Sequence, residues 1–415
     1  MSGPTDRAAV IATFRDSPPA VKTLLAGVFI NRLSGFLNIF LVLFLTSTGY
    51  GEEQAALAVG VYGVGGVVGV LAGGFLAARI GARAATVISM SSAGALMASL
   101  LYLPSYGLIL VVVALASVAA QFYRPASAAL LSDLVPEGRQ VMIFAMYRFC
   151  LNVGATVAPL LGLGLYHLAG ERYGLVFWCE ALVAVAYAVL AGFTLPAHRG
   201  TRATGVVTRG GYREMMRDRH YLLYLVAMFC QGAVYVQYLS TLPLDVQASG
   251  IPVFWYTLAV SVNGLMVIAF ELLVTKRTQA WPIRLTLGLG LGLIGVGVAA
   301  YGLPALPAVI VGATLVWSLG EIIGGPATFA YPGLRAPASL KTQYIGAFQL
   351  MLGTGTAAGP VLGGWLFLRF GHSVWPVLAI GSVLAVSLTL AATRGARTEP
   401  DSSVAVVADS PAPGA

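Results

Sequence analysis

One basic segment, Pro196-Ala-His-Arg-Gly-Thr-Arg-Ala-Thr-Gly-Val-Val-Thr-Arg-Gly-Gly-Tyr-Arg-Glu-Met-Met-Arg-Asp-Arg219, separates two long regions of the chain that are almost uninterruptedly apolar. The two regions also repeat each other. Prolines and glycines recur at a constant offset of 201 positions (326 − 125) in these pairs: Pro125 and Pro326, Pro136 and Pro337, Gly154 and Gly355, Pro159 and Pro360, Gly162 and Gly363. One offset that holds across separate segments indicates a duplicated half joined by a loop.

Composition places the chain in a membrane. Hydrophobic residues make up 58% of it, charged residues only 10%, and the mean hydropathy is +0.84. Soluble domains carry roughly 25% charged residues. We therefore predict an all-α membrane protein with twelve transmembrane helices in two pseudo-symmetric six-helix halves. The predicted spans lie near residues 23–48, 54–77, 84–103, 107–131, 142–167, 172–195, 221–243, 253–275, 283–302, 306–329, 343–368 and 373–393.

The positive charges predict how these spans are oriented. With both termini inside, 19 of the 24 Lys and Arg are cytoplasmic and two, Arg172 and Arg369, are outside. Cytoplasmic loops carry such an excess, so we predict a multi-pass protein of the plasma (inner) membrane with both termini in the cytoplasm. The net charge of +8 then implies no nucleic-acid partner. The predicted segments are a cytoplasmic N-terminal segment (1–21), a first half (22–195), a cytoplasmic linker (196–219), a second half (220–395) and a disordered tail (396–415).

The sequence offers no enzymatic chemistry. Cys150, Cys179 and Cys230 all fall inside predicted spans and have no metal-binding or redox spacing. Gly290-x-Gly292-x-x-Gly295 matches a dinucleotide fingerprint, but it lies in an apolar span with no strand before it. There is no phosphate-binding loop in the sequence. We therefore expect a protein that is not an enzyme and that uses neither a cofactor nor a metal.

Polar side chains inside the predicted spans mark a candidate substrate cavity. Arg32 lies ten residues beyond Lys22, about 15 Å into the membrane at the helical rise. An arginine at that depth faces a cavity or a partner, unless its side chain reaches back to the interface. The residues that we expect to line the cavity, in spans 1, 4 and 7, are Asn31, Arg32, Arg124, Gln231, Tyr235 and Tyr238.

Three acidic residues are candidates for proton coupling. Glu321 lies in span 10, slightly inside the midplane, and Glu271 lies near the cytoplasmic end of span 8. Asp133 lies at the membrane boundary of span 4. An intramembrane carboxylate is costly, so we expect Glu321 either to pair with Arg32 or Arg124 or to be protonated for part of a cycle.

The segment Gly74-Phe-Leu-Ala-Ala-Arg-Ile-Gly-Ala-Arg83 resembles the loop between helices 2 and 3 of the major facilitator superfamily, G-x-L-A-D-R-x-G-R-R. Ala78 stands where that family has its acid. In the family this loop forms a charge cluster that locks the cytoplasmic gate. The resemblance implies a gating loop here, with Asp133 as the acid that pairs with one of its arginines. Its expected gating residues are Gly74, Arg79, Gly81 and Arg83.

Spans 5 and 11 contain a repeated glycine-proline motif. It reads Gly154-Ala-Thr-Val-Ala-Pro159-Leu-Leu-Gly162 in span 5 and Gly355-Thr-Ala-Ala-Gly359-Pro360-Val-Leu-Gly363-Gly364 in span 11. Both resemble G-x-x-x-G-P-x-x-G-G of the drug:proton antiporters, and the second copy is the more complete. A proline removes one backbone hydrogen bond and kinks a helix. We expect these helices to bend during gating; a static kink is the alternative.

The resemblance covers residues 20–395 and implies a major facilitator fold, in which two six-helix halves rock about a site lined by spans 1, 4, 7 and 10. It implies a secondary transporter that exports small amphipathic or hydrophobic compounds, drug-like or natural products, in exchange for protons. The partners would be the small molecule, protons and the lipid bilayer, and the protein would be a monomer. The alternatives are a proton-coupled uptake symporter for a nutrient or peptide, and a non-transporting membrane receptor or enzyme.

Overall fold

The computed structural model describes residues 10–197 and 211–394, and these residues form helices and no strands. The predicted disordered tail and most of the predicted linker lie outside the described residues. Two short 3₁₀ turns, Ala338–Leu340 and Gly371–Ser373, accompany the α-helices. The helices are α1 (Val10–Asp16), α2 (Pro19–Leu33), α3 (Phe36–Ser47), α4 (Glu52–Ile80), α5 (Ala82–Leu100), α6 (Tyr106–Phe122), α7 (Arg124–Leu134), α8 (Glu137–Leu168), α9 (Gly174–Thr194), α10 (Gly211–Met215), α11 (Arg219–Tyr235), α12 (Gln237–Ala248), α13 (Val253–Thr278), α14 (Ile283–Ala300), α15 (Pro307–Arg335), α16 (Lys341–Phe370) and α17 (Val374–Ala392).

Within the described chain, nine helical stretches are long and apolar enough to cross a membrane. The last of them, residues 338–392, contains both α16 and α17. The pair α2–α3 and the helix α5 correspond to the two predicted spans that these stretches leave out. Each predicted span therefore coincides with one helix or with two consecutive helices, although twelve membrane crossings stay a prediction.

Three predicted spans, the first, fourth and seventh, are interrupted near their middles. The first breaks at Ser34 and Gly35, and the fourth breaks at Tyr123, two residues before Pro125. Pro125 has no N–H to donate to the carbonyl of Gln121, four residues earlier, which explains the second break. At the third break the Gln237 side chain donates to Ala233 O (2.7 Å) and to Gly359 O (2.8 Å). A side chain that inserts into the helical ladder in this way bends the helix.

Buried apolar residues form two large clusters in the first half and two in the second. Tyr147 and Phe177 belong to the first pair, and Tyr224 and Trp375 to the second. A smaller cluster joins the halves through alanine, phenylalanine and isoleucine side chains. Its buried members are Ala128, Ala129, Phe144, Ala330 and Ile345. Each half thus has its own interior, and the two meet at a limited apolar contact.

The glycine motifs of spans 5 and 11 occupy equivalent places in the two halves. A side chain at Gly154 would overlap Arg32 of α2, and one at Gly359 would overlap Ala233 and Val236 of the seventh span. In a membrane, small residues let helix backbones approach closely. The two motifs are therefore places where helices pack closely. Both α8 and α16 continue through their prolines, and bending during gating stays a prediction.

Candidate functional site

A cavity of about 470 Å³ lies between the two halves. The breaks in the first and fourth predicted spans place residues on its wall, because Gly35 and Tyr123 belong to the lining. Both halves supply polar groups to it. The polar and charged lining residues are Asn31, Arg32, Tyr62, Gln121, Tyr123, Arg124, Arg148, Asn152, Glu180, Gln231, Tyr235, Glu321, Thr328 and Thr356. A cavity of this size fits a drug-sized molecule.

An ion triad crosses from one half to the other beside this cavity. Arg148 of α8 donates from Nε to Glu271 Oε1 (2.5 Å) and from Nη2 to Glu321 Oε1 (3.0 Å). Glu271 lies on α13 and Glu321 on α15, so one first-half cation holds two second-half acids. Their side chains are 12%, 0% and 10% exposed for Arg148, Glu271 and Glu321 respectively. The triad is therefore a buried electrostatic connection between the halves.

The expectation that Arg32 or Arg124 pairs with Glu321 was wrong. Those two arginines lie on the first-half part of the cavity wall, whereas α8 contacts both α13 and α15. Arg148 is therefore the cation within reach of the two acids. The signal was present in the sequence, because Arg148 is the third arginine inside a predicted span. Only the arrangement of the helices could assign its partners.

Two further residues hold the triad in place, and the sequence reasoning missed both. Asn263 Nδ2 donates to Glu321 Oε2 (3.1 Å) and to Ser318 Oγ (3.0 Å). Asn263 lies eight residues before Glu271, which places the two on one face of a helix. Gly325 packs against the Arg148 guanidinium, and an added Cβ would come within 2.6–2.8 Å of its atoms. The same guanidinium lies over the ring of Phe329, with Arg148 Cζ 5.4 Å from the ring centroid.

The remaining predicted cavity residues divide into two groups. Asn31, Arg32, Arg124, Gln231 and Tyr235 line the cavity as expected. Tyr238 is not among the lining residues. It packs instead against Trp317 and Tyr235, with ring centroids 4.9 and 5.3 Å apart. The three rings of Tyr235, Tyr238 and Trp317 pack together as an aromatic cluster, of which Tyr235 contacts the cavity.

Glu180, which lies inside the sixth predicted span, stabilises the break in the first span. Its Oε2 accepts the backbone N–H of Leu37 at 2.6 Å, and Leu37 lies in the first turn of α3. Helix starts leave backbone N–H groups without partners, and a carboxylate satisfies them well. The buried Glu180 carboxylate is thus engaged by the backbone rather than by an arginine.

The two halves also meet at one end of the bundle, which carries Gly81, Pro136, Asp218 and Pro337 and which we call the basic end. Here Lys341 Nζ forms an ion pair with Asp133 Oδ1 at 3.0 Å. Gly74 of α4 approaches Gly346 of α16, so that a Cβ on Gly74 would lie 3.5 Å from Gly346 Cα. Together with the small apolar cluster, these contacts close the basic end.

The predicted partner of Asp133 was also wrong. Among the residues that the structure describes, neither Arg79 nor Arg83 forms an ion pair; the Arg79 guanidinium lies 4.2 Å from the Phe75 ring centroid. Lys341 takes their place because α7 packs against α16. Gly81 separates α4 from α5 with a φ of +85°, a conformation that side chains other than glycine rarely adopt. Asp133 itself lies outside the cavity lining.

Another polar cluster at the basic end belongs to the second half alone. Asp218 accepts the Tyr221 N–H at the start of α11 and two hydrogen bonds from Arg335, at 3.0 and 2.9 Å. Partial burial raises the pKa of Asp218, but the Arg335 and Tyr221 hydrogen bonds outweigh it and leave that pKa below its ordinary value. This cluster joins the start of α11 to the end of α15, and it takes no part in the contact between the halves.

Comparison with known proteins agrees with this architecture. The model of the Major Facilitator Superfamily matches residues 24–360. An uncharacterized MFS-type transporter of Bacillus subtilis, YqjV, is 23% identical over 86% of this chain and 88% of its own length. A Na⁺, Li⁺, K⁺/H⁺ antiporter of Planococcus maritimus is 22% identical over 90% and 95%. The multidrug resistance protein MdtH of Edwardsiella ictaluri is 24% identical over 86% and 91%.

Solved structures share the fold at lower sequence identity. The transporter FucP in its outward conformation is 13% identical with a TM-score of 0.73, covering 89% of this chain and 97% of FucP. A bacterial homologue of the iron transporter ferroportin is 14% identical with a TM-score of 0.71, covering 90% and 99%. The predicted all-helical major facilitator fold is confirmed. The chain therefore belongs to the Major Facilitator Superfamily, and it is a secondary transporter rather than an enzyme.

Proposed function

We propose that this protein exports small amphipathic organic compounds in exchange for protons, by alternating access in the plasma membrane. The observation that carries the proposal is the triad of Arg148, Glu271 and Glu321, which connects the two halves beside the cavity. The relatives named multidrug resistance protein and cation/H⁺ antiporter support exchange for protons. The basic end then faces the cytoplasm, in line with the excess of positive charge there.

The charges of the triad explain how a proton could be coupled to movement. One guanidinium and two carboxylates leave a surplus of one negative charge in a low-dielectric place. A proton on either carboxylate makes the triad neutral and removes one of the two cross-half ion pairs. Glu321 is the acid that lines the cavity, so we assign the proton to Glu321 first and to Glu271 as its coupled partner.

The closed basic end fixes one position of the proposed cycle. Asp133–Lys341 and Gly74–Gly346 join the halves there. From these contacts we infer that the cavity opens at the opposite end. Protons arriving from outside would load the triad in this state. Rocking of the halves would then break the contacts at the basic end and open the cavity to the cytoplasm.

Metal-cation exchange is a less suitable function for this site, despite the name of one relative. Alkali ions need carboxylate or carbonyl oxygens that are free to bind them. Here Glu271 and Glu321 already bind Arg148, and Glu180 accepts a backbone N–H. Arg32 and Arg124 add positive charge to the same cavity. An organic substrate therefore fits the lining better than a metal ion.

The direction of transport separates export from the alternative, uptake by proton symport. Purified protein is reconstituted into vesicles of one orientation, set by protease protection of the linker at residue 204. A panel of amphipathic drug-like compounds is offered with an imposed pH gradient. Export predicts accumulation in inverted vesicles when their interior is acidic. Accumulation that follows protons inward in right-side-out vesicles would establish symport, and gradient-independent flux would reject proton coupling.

A further inference from the structure

Two arginines of the cavity wall carry charges that the described residues do not neutralise. Arg124 donates from Nη1 to the neutral Gln121 Oε1 at 2.8 Å, and Arg32 is an exposed residue within the cavity. Neither forms an ion pair in the described ranges 10–197 and 211–394. Arg32 also lies close enough to Arg124 for the two charges to repel each other. In the part of the chain that the structure describes, this section of the wall therefore holds two like charges, neither of which has an ion-pair partner.

Among the described residues, none of the acids around the cavity forms an ion pair with Arg32 or Arg124. Glu271 and Glu321 bind Arg148, and Glu180 binds the backbone of α3. The stem of Arg32 packs on Gly154, where an added Cβ would come within 3.1 Å of Arg32 Cγ. That contact holds the guanidinium beside the cavity instead of letting it extend along the helix to the interface. Unpaired guanidinium groups at this depth are costly.

We propose that the transported compound is an amphipathic organic anion whose acidic group binds between Arg32 and Arg124. Guanidinium groups bind carboxylates with short, charge-assisted and often bidentate hydrogen bonds. The apolar part of the compound would lie on the opposite wall, where Leu291, Ile294 and Leu352 line the cavity. This inference rests on the proposed function in one respect only, namely that the cavity is the transport site.

An anionic substrate has an electrical consequence. If one monoanion leaves for each proton that enters, each exchange transfers the equivalent of two positive charges inward across the membrane. An interior-negative potential then assists both movements. Export should therefore respond to a potassium diffusion potential even when no pH gradient is imposed, whereas exchange of a neutral compound for a proton moves one charge.

Binding is measured without any gradient, so that its outcome is independent of proton coupling. The protein is placed in phosphatidylcholine nanodiscs, and three naphthalene probes with matched skeletons are titrated by calorimetry: 2-naphthylacetate, 2-naphthylacetamide and 2-(2-naphthyl)ethylamine. We expect the carboxylate to bind at least about tenfold more tightly than the amide or the amine, because hydrogen bonds between charged groups are stronger than those between neutral groups. Equal affinities in the wild-type protein would overturn the inference.

Variants locate the acidic group. Arg32→Gln and Arg124→Gln should each weaken 2-naphthylacetate binding about tenfold or more and leave 2-naphthylacetamide binding unchanged. Arg369→Gln is the matched control, because Arg369 lies on the far part of α16 beside Trp365. Unchanged carboxylate affinity in both cavity variants would reject the site. Because the head-group preference is measured in the wild-type protein, the inference remains testable even if a variant fails to fold.

Two further measurements test whether chloride or an anionic lipid, rather than a soluble substrate, binds to the two arginines. Replacing chloride by gluconate, and replacing phosphatidylcholine partly by phosphatidylglycerol, should leave the carboxylate preference in place. If phosphatidylglycerol abolishes probe binding, the arginines hold a lipid head group and the inference is wrong. If anions bind selectively but no proton-driven transport occurs, the proposed function fails and this inference stands. If amines are transported in exchange for protons and the anionic probe does not bind, the proposed function stands and this inference is wrong.

Discussion

Among the residues that the structure describes, two ion-pair contacts join the halves of this transporter, and they differ in burial and in charge balance. The triad of Arg148, Glu271 and Glu321 is at most 12% exposed and has one cation for two acids. The pair of Lys341 and Asp133 at the basic end is 17% and 50% exposed and is balanced one to one. Exposed pairs contribute about 0.2–1 kcal/mol, whereas breaking a buried pair costs about 3–5 kcal/mol.

This difference indicates separate roles for the two contacts. Binding of a proton strongly changes the interaction energy of the triad, and with it the strength of the contact between the two halves. The Lys341–Asp133 pair contributes too little to control the cycle. Closure at the basic end depends more on the close approach of Gly74 to Gly346 and on the apolar cluster of Phe144 and its neighbours.

The largest effect is expected from removing the cation of the triad. Arg148→Met leaves two buried carboxylates without their partner and should destabilise the protein by about 3–5 kcal/mol. Thermal unfolding in detergent, followed by tryptophan fluorescence, measures the loss against Arg369→Met as control. Adding Glu271→Gln and Glu321→Gln to Arg148→Met should restore much of the stability. Wild-type stability of Arg148→Met alone would show that the triad is not a buried ionic contact.

Glu321→Gln tests the coupling role with little cost in stability. It leaves Arg148 and Glu271 as a neutral pair, so membrane insertion and the melting temperature should stay close to those of the wild type. Accumulation driven by a pH gradient should fall to the level seen without a gradient, while substrate counterflow continues. Glu171→Gln, in the loop between α8 and α9, is the control. Full proton-driven accumulation by Glu321→Gln would transfer the role to Glu271.

Gly325→Ala changes the position of the triad without changing its charges. The new methyl group would displace the Arg148 guanidinium, which is the flexible end of a side chain, so the protein should still fold. Overpacking of this kind costs about 1–3 kcal/mol, and here the cost weakens the ion pairs of Arg148 with Glu271 and Glu321. We expect slower proton-driven transport in reconstituted vesicles. Gly312→Ala on the same helix meets open space and should transport like the wild type.

The smallest effect is expected at the basic end. Asp133→Asn removes a half-exposed ion pair and should change the transport rate by at most about fivefold, which corresponds to about 1 kcal/mol. The effect should diminish further in high salt, because exposed charges are screened. Exchanging the charges with Asp133→Lys and Lys341→Asp should restore the rate. Complete loss of transport in Asp133→Asn would reverse the comparison between the two contacts.

The sequence predicted the helices well because hydropathy is a local property. The repeat at an offset of 201 positions pairs Gly154 with Gly355, and the residues that they contact, Arg32 and Ala233, are 201 positions apart as well. The breaks were harder to predict. Gln237 bends its helix while it donates to Gly359 O, 122 residues away, so its effect is invisible in the surrounding sequence.

The sequence identified most of the charged residues of the site, but it did not identify which of them form ion pairs with each other. Arg148, Glu271 and Glu321 are each conspicuous as charges inside apolar spans, but their partners lie in the other half of the chain. Asp133 pairs with Lys341 for the same reason, although the family resemblance suggested Arg79 or Arg83. Gly325 has no side chain to draw attention, and its contribution is the space that it leaves for Arg148.

The joint between α2 and α3 has a consequence for biogenesis. The two helices have 15 and 12 residues, each shorter than the roughly 20 that a membrane crossing needs, so the first span must enter the bilayer as a jointed unit. The free N–H of Leu37 at that joint is sealed by Glu180, which the ribosome adds 143 residues later. In the nascent chain, the N–H of Leu37 therefore lacks this acceptor until the sixth span has been synthesised. Truncated chains that end before Glu180 should accordingly be recognised by membrane quality control more readily than chains that end just after α9.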